Sequence, residues 1–150
     1  MATAYGALYA PTLTQHATTN GVVSFQSLSV QNSGVTTPNP QTIAVTGTGV
    51  YKVKFSLDLT LQNLAWNLFN TSAEIFIAVN GVKEAESKVS LVNGLLASTM
   101  ITSTIEMNAG KSIILGLNAG DALTLVFGTI NDPNSNLNYQ HPVLEVIQIA

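Results

Sequence analysis

Chemistry in this chain has few places to come from, because only 9% of its 150 residues are charged and it contains no cysteine. Thiol nucleophiles, disulfides and thiolate metal ligands are excluded at once. The two histidines, His16 and His141, lie far apart, and neither stands in a metal-ligand spacing such as HExxH. General acid–base work lacks its usual clustered residues for the same reason. His141 precedes Pro142 and reads as a surface or interface residue at a strand entrance. Asp121 follows Gly120 in a turn, where a carboxylate serves nearby backbone N–H groups. The run Asn131-Asp132-Pro133-Asn134-Ser135-Asn136 is rich in oxygen but offers one carboxylate where calcium prefers several, so it reads as a solvated loop. Gly47-Thr48-Gly49 lacks the lysine and helix of a phosphate loop, and no Gly-x-Ser-x-Gly elbow occurs. Trp66 is the candidate ligand-binding residue, as a sugar-stacking platform, with a core or interface anchor as the alternative. Asn70-Thr71-Ser72 matches the N-glycosylation pattern, and the threonines of 12–19 offer O-linked acceptors. The expectation is a non-enzymatic chain with no catalytic residues, no metal and no cofactor.

The balance of charge narrows the partners. The formal net charge is −3, and all five basic residues are lysine. Without arginine or a basic patch, nucleic acid is not an expected partner. No apolar run approaches the ~18–20 residues of a membrane-spanning helix. The start of the chain lacks the basic and apolar regions of a secretory signal, so no signal peptide is expected in it. Hydrophobic residues nevertheless make up 46%. A domain so poor in charge covers itself with Thr, Ser, Asn and Gln, or hides surface in an oligomer. The absence of cysteine fits a bacterial or viral source.

Elements that could position side chains are strands throughout. Turn signals recur about every ten residues and no helical period is sustained, the mark of a sandwich or barrel. Residues 51–61 alternate without a break: Tyr51, Val53, Phe55, Leu57, Leu59 and Leu61 on one face, with Lys52, Lys54, Ser56, Asp58 and Thr60 on the other. Such period-two alternation means one face in a core and one in water. Further strands are expected at 73–79, 82–91, 99–107, 112–117, 122–130 and 143–149. Asn80-Gly81 forms a hairpin turn between the first two of these. Two tetrapeptides of nearly the same sequence, Asn108-Ala109-Gly110-Lys111 and Asn118-Ala119-Gly120-Asp121, read as two further turns. The N-terminal third is less regular, with short strands at 4–9, 22–30 and 42–45 and a loop over 36–40. No linker divides the chain, which reads as a single domain over 1–150.

The strands fall into two kinds. Those at 51–61, 82–91 and 99–107 have a wet face, whereas those at 73–79, 122–130 and 143–149 are apolar on both. A strand apolar on both faces belongs to a sheet covered on both sides. A two-sheet sandwich supplies only one cover. With no helices available, the expected second cover is another subunit, since soluble monomers rarely expose wide apolar patches.

Gly49-Val50-Tyr51-Lys52-Val53-Lys54-Phe55 resembles the Gly-x-Tyr-x-Phe-x-Phe/Tyr strand of the globular heads of complement subcomponent q. Ile43 stands where that family has a phenylalanine. Val79-Asn80-Gly81 is similar to its hairpin, Leu117-Asn118-Ala119-Gly120-Asp121-Ala122-Leu123 to its Leu-x-x-Gly-Asp-x-Val segment, and Val143-Leu144-Glu145-Val146-Ile147 to its last strand. The match spans roughly residues 41–150. The low charge, the absence of cysteine and the Thr/Asn/Ala-rich surface resemble bacterial versions, in particular the C-terminal heads of collagen-like exosporium glycoproteins. Tyr5-Gly6-Ala7-Leu8-Tyr9 resembles the opening strand of such heads.

The resemblance implies an all-β, two-sheet antiparallel jelly-roll sandwich of about ten strands, like that of tumour necrosis factor. It implies a homotrimer with an inner sheet of first, last, third and sixth strands on the axis, and it places the three two-faced strands in that sheet. The expected trimer-interface residues are Tyr5, Tyr9, Phe76, Ala78, Val126, Val143, Ile147 and Ile149. The expected role is structural: a trimer-forming head of a spore-coat, exosporium or other fibrous surface protein, at a spore, extracellular or virion surface. Its partners would be itself and other spore-surface proteins or a cell-surface ligand. The alternative is a receptor- or carbohydrate-binding spike head of a phage or adhesin. No Gly-x-y repeat is present in the chain.

Overall fold

The structure is a computed structural model that describes residues 3–29, 31–65, 69–95, 101–131 and 137–150. Its elements are β1 (Tyr5–Tyr9), β2 (Thr14–His16), β3 (Ser27–Leu28), β4 (Val35–Asn39), β5 (Thr42–Val45), β6 (Gly49–Ala65), β7 (Phe69–Val79), β8 (Val82–Lys83), β9 (Val89–Leu95), β10 (Ile101–Leu117), β11 (Ala122–Asn131) and β12 (Leu137–Gln148), with a single 3-10 turn at Ala85–Ser87. They form two antiparallel sheets. The first runs β10-β6-β12-β1-β3, with β2 also paired to β12; the second runs β4-β5-β11-β7-β8, with β9 also paired to β7. The expected two-sheet jelly roll is what the chain adopts, with twelve strands among the described residues where about ten were expected.

Alternation builds the core. From β6, Tyr51, Val53, Phe55, Leu57 and Leu59 all point between the sheets and are buried. They meet Ile75 and Ile77 of β7, Leu123, Leu125 and Phe127 of β11, and Leu144 and Val146 of β12. The Tyr51 hydroxyl donates to the Gly47 carbonyl at 2.7 Å, which satisfies the one polar atom this ring carries inward. Burial pushes its phenol pKa up.

Several expected boundaries move, each for a local reason. Asn108-Ala109-Gly110-Lys111 is not a turn: β10 pairs with β6 without interruption from Ile101↔Ala65 to Leu117↔Gly49. Its near-twin does turn, because the Asp121 carboxylate accepts the Asn118 N–H at 2.8 Å and Gly120 takes φ +93°. Lys111 stands where Asp121 does and cannot close such a turn. The expected strand 82–91 is broken into β8, the 3-10 turn and β9. The expected loop 36–40 is instead the edge strand β4, whose Pro38 falls where its pairing with β5 shifts register, a position that tolerates a missing N–H. Of the expected strand 22–30, the described structure keeps β3 and a single bridge, Val22↔Val126.

The break between β8 and β9 is held by a buried hydroxyl. Ser87 is fully buried; its Oγ accepts the Ile77 N–H at 2.8 Å and donates to the Glu84 carbonyl at 2.6 Å. Ser87→Ala leaves the Ile77 N–H without a partner inside the sheet, and a loss of about 1–3 kcal/mol is expected. Urea unfolding of the two proteins at equal concentration measures it, and equal midpoints would contradict this assignment.

Candidate functional site

The outward face of the first sheet is where the candidate residues converge. On β6 the odd positions from Tyr51 onward face the core, so Val50, Lys52, Lys54, Ser56 and Asp58 face out. Register then lays out rows across four strands. Tyr5, Ile147, Lys52 and Ile114 form one row, and Ala7, Glu145, Lys54 and Ser112 the next. Tyr9, Val143, Ser56 and Gly110 form the third. Beyond β12, the Ile149 N–H donates to the Val50 carbonyl, which carries the same face to the end of the chain.

Seven large apolar side chains are exposed among the described residues, and five of them, Tyr5, Val50, Ile114, Ile147 and Ile149, lie at this end of this one face, 37–61% exposed. Such clustering is the signature of a surface that another molecule covers. Ile114 and Val50 were not among the sequence candidates. The signal for Ile114 was present in Ile113-Ile114, because two adjacent isoleucines in a strand cannot both face the core.

The opposite end of the face is polar. Asp58 accepts Asn108 Nδ2 at 2.8 Å, and His141 Nδ1 lies 3.0 Å from its second oxygen. With Glu106, Thr60 and Gln140 these residues line an open groove of about 290 Å³. His141 is not at a strand entrance. It sits inside β12, at φ +51°, where the register with β6 slips between Gln140 and Val143. Such a bulge re-aims side chains, and here it turns the ring onto Asp58. Among the described residues no group of His, Asp and Glu side chains is arranged to hold a metal. His16 lies on β2, with Asn138 of β12 as its register partner.

The eight expected interface residues divide between the sheets. Tyr5, Tyr9, Val143, Ile147 and Ile149 share the face just described. Phe76, Ala78 and Val126 do not. Their strands β7 and β11 belong to the second sheet, so the expectation that all three two-faced strands line one inner sheet is corrected: only the last strand does. Nor do β7 and β11 need a subunit to explain their apolar outer residues. Ala78 is fully buried and Val126 is 7% exposed within one copy. The Phe76 ring packs over Gly128, where an added Cβ would lie 2.7 Å from Phe76 Cε2. Lys83 reaches over that ring, with Nζ 5.5 Å from its centroid, and bonds Asn20 Oδ1 at 2.7 Å. Trp66 and residues 132–136 of the oxygen-rich loop lie outside the described residues.

Asp121 behaves as the sequence implied. Besides the Asn118 N–H, its carboxylate accepts Asn80 Nδ2 at 2.8 Å, tying two turns together. These bonds hold its carboxyl below the usual range, the Asn118 N–H being the larger cause. Hydrogen bonds from Asn108 and then His141 do the same for Asp58. Lys88, 2.7 Å away, and the Thr129 N–H do so for Glu74. All three carboxyls bind protons less readily folded than unfolded, so their contribution is complete above about pH 5 and lost as pH falls through the folded values. The urea midpoint is therefore expected to fall on acidification below about pH 5, with a shallower fall in Asp58→Asn. A midpoint flat across that range counts against it.

The sequence matches no protein-family model and no curated protein. Solved structures do match. The globular domain of zebrafish complement 1qA aligns with TM-score 0.58 at 12% identity, over 99% of this chain and 98% of that one. The tumour necrosis factor Eiger from S. frugiperda aligns with TM-score 0.58 at 12% identity, over 100% of this chain and 94% of that one. The fold is a C1q/TNF-like jelly roll. At this identity the likeness is one of architecture, and the C1q/TNF-like order of strands puts β1, β12, β6 and β10 together in the sheet that carries the exposed apolar face.

Proposed function

We propose that this chain is a non-catalytic, self-associating surface head, three copies packing through the outward face of the β10-β6-β12-β1-β3 sheet. The observation that carries this reading is the gathering of Tyr5, Val50, Ile114, Ile147 and Ile149 on one face, five of the seven large apolar side chains exposed among the described residues. Covering them with copies of the same face removes that surface from water at about 25 cal/mol per Å². The number three is supported by the C1q/TNF-like fold, and by the resemblance of residues 41–150 to complement-type heads. Tyr9 and Val143 extend the contact along the same sheet. Association would set three chains in register, which is the mechanical task of a head on a fibrous protein. The low charge, the absence of cysteine and the opening Tyr5-Gly6-Ala7-Leu8-Tyr9 support placing it on a spore-coat or exosporium fibre, facing other spore-surface proteins or a cell-surface ligand. Size-exclusion chromatography with light scattering is the test. The expected mass is three times the 15.8 kDa of the chain, and a monomer at micromolar concentration overturns the proposal.

A further inference from the structure

The association face carries a lysine in the wrong company. Lys52 stands in the apolar row with Ile147 on one side and Ile114 on the other, and among the described residues it makes no ion pair within its own chain. Covering this row by another copy strips water from the ammonium, which is costly unless a carboxylate arrives with the cover. Three carboxylates face the same way. Asp58 is engaged by Asn108 and His141. Glu106 is level with Thr60, eight residues further along β6, about 26 Å at the rise of a strand. Glu145 remains. Among the described residues it makes no ion pair in its own chain, although Lys54 is its register neighbour.

Glu145 also lines a groove of about 260 Å³ with Tyr5, Ala7, Ser29, Gln31 and Ile147. A carboxylate, an aromatic ring and an amide oxygen around one open groove are what an ammonium needs. The groove lies on the β3–β1–β12 side of the face, and Lys52 lies on the β6 side. Knob and groove thus stand on neighbouring strands of one surface, with Ile147 between them. A head-to-tail contact between such a knob and groove forms a ring when its rotation closes.

We infer that Lys52 of each copy seats in the Tyr5–Glu145 groove of the next, pairing with Glu145 there. This contact rests on the self-association proposed above and adds its orientation. The test is a charge swap: Lys52→Glu, Glu145→Lys, and both together, read by sedimentation equilibrium at about 0.15 M salt. Lys52 is exposed and Glu145 half-buried on the outer face, so unchanged far-UV circular dichroism is expected for all three. Each single reversal is expected to weaken association about tenfold or more, and the double reversal to bring it back to within about threefold of the parent. A parent that is monomeric overturns self-association and this contact with it. A parent that assembles while the single variants assemble equally well overturns the contact alone, as does a double variant that stays dissociated. Restoration of the Glu145→Lys variant by Lys54→Glu instead of Lys52→Glu also overturns it, by naming the wrong lysine.

Discussion

An Ile147→Asp variant is expected to remain folded and to run as a single chain where the parent associates. Ile147 lies at the centre of the exposed apolar row, between Tyr5 of β1 and Lys52 of β6, and is 45% exposed in one copy. Its side chain points away from the core, so folding loses little when it is replaced. A carboxylate at that place must either keep its water, which holds the faces apart, or be buried unpaired among isoleucines. Association weaker by about a hundredfold is expected, a change of about 2.7 kcal/mol. Sedimentation equilibrium measures it, and circular dichroism checks the fold. Because association stabilises only the folded chain, the melting temperature of Ile147→Asp is also expected to lose its dependence on protein concentration. An unaltered oligomer would place the contact on some other surface.

The second large effect lies between the sheets. Phe127 of β11 is 1% exposed, and its ring centroid is 5.5 Å from that of Tyr139 on β12, in the opposite sheet. The Tyr139 hydroxyl accepts the Ser24 N–H at 3.0 Å, which fixes the second ring from behind. Truncating Phe127 therefore opens a cavity whose far wall is pinned and cannot relax to fill it. Phe127→Ala is expected to cost about 3–5 kcal/mol, and Phe127→Leu less than half of that. Thermal melts at one fixed protein concentration are expected to show a fall on the order of 10 °C for the alanine variant. A fall of a degree or two would mean that the sandwich closes around the gap. The contrast with Ile147→Asp separates the space between the sheets, on which folding depends, from the outward face of the first sheet, where association is expected.

How much was legible in the residues differs from strand to strand. The alternation of 51–61 identified β6 and its core face, because period two is a local property of an extended chain. Asn80-Gly81 was legible as a turn for an equally local reason: Asn80 takes φ +50° and Gly81 φ +82°, values those two residue types tolerate best. The two Asn-Ala-Gly tetrapeptides were not separable in this way. Their difference lies in one residue, the aspartate that accepts a backbone N–H in the turn at 118–121 and the lysine that cannot do so in β10. Gly110 could have ended a strand, but seventeen consecutive register partners on β6 hold it extended.

On the face proposed for association, Tyr5, Tyr9, Val143, Ile147 and Ile149 were named from sequence, whereas Val50, Ile114 and the proposed Lys52–Glu145 contact were not. Their meaning depends on which strands are neighbours. Lys52 looked like the wet side of an ordinary strand until β10 and β12 placed an isoleucine on each side of it. The polar groove held the same lesson for His141, whose ring reaches Asp58 only because β12 bulges beside β6.

The sequence by itself determined that this chain is built of strands, which side chains of its longest strand enter a core, and that without cysteine it has no thiol chemistry. Only the tertiary structure decided which sheet each strand joined. That decision split the three two-faced strands, burying Ala78 and Val126 within one copy and leaving Ile147 at the surface. The physical reason is the range of the interactions. Alternation is set by the geometry of successive residues, whereas sheet membership is set by hydrogen bonds between residues as distant as Tyr5 and Ile147, whose pairing no short window of sequence contains.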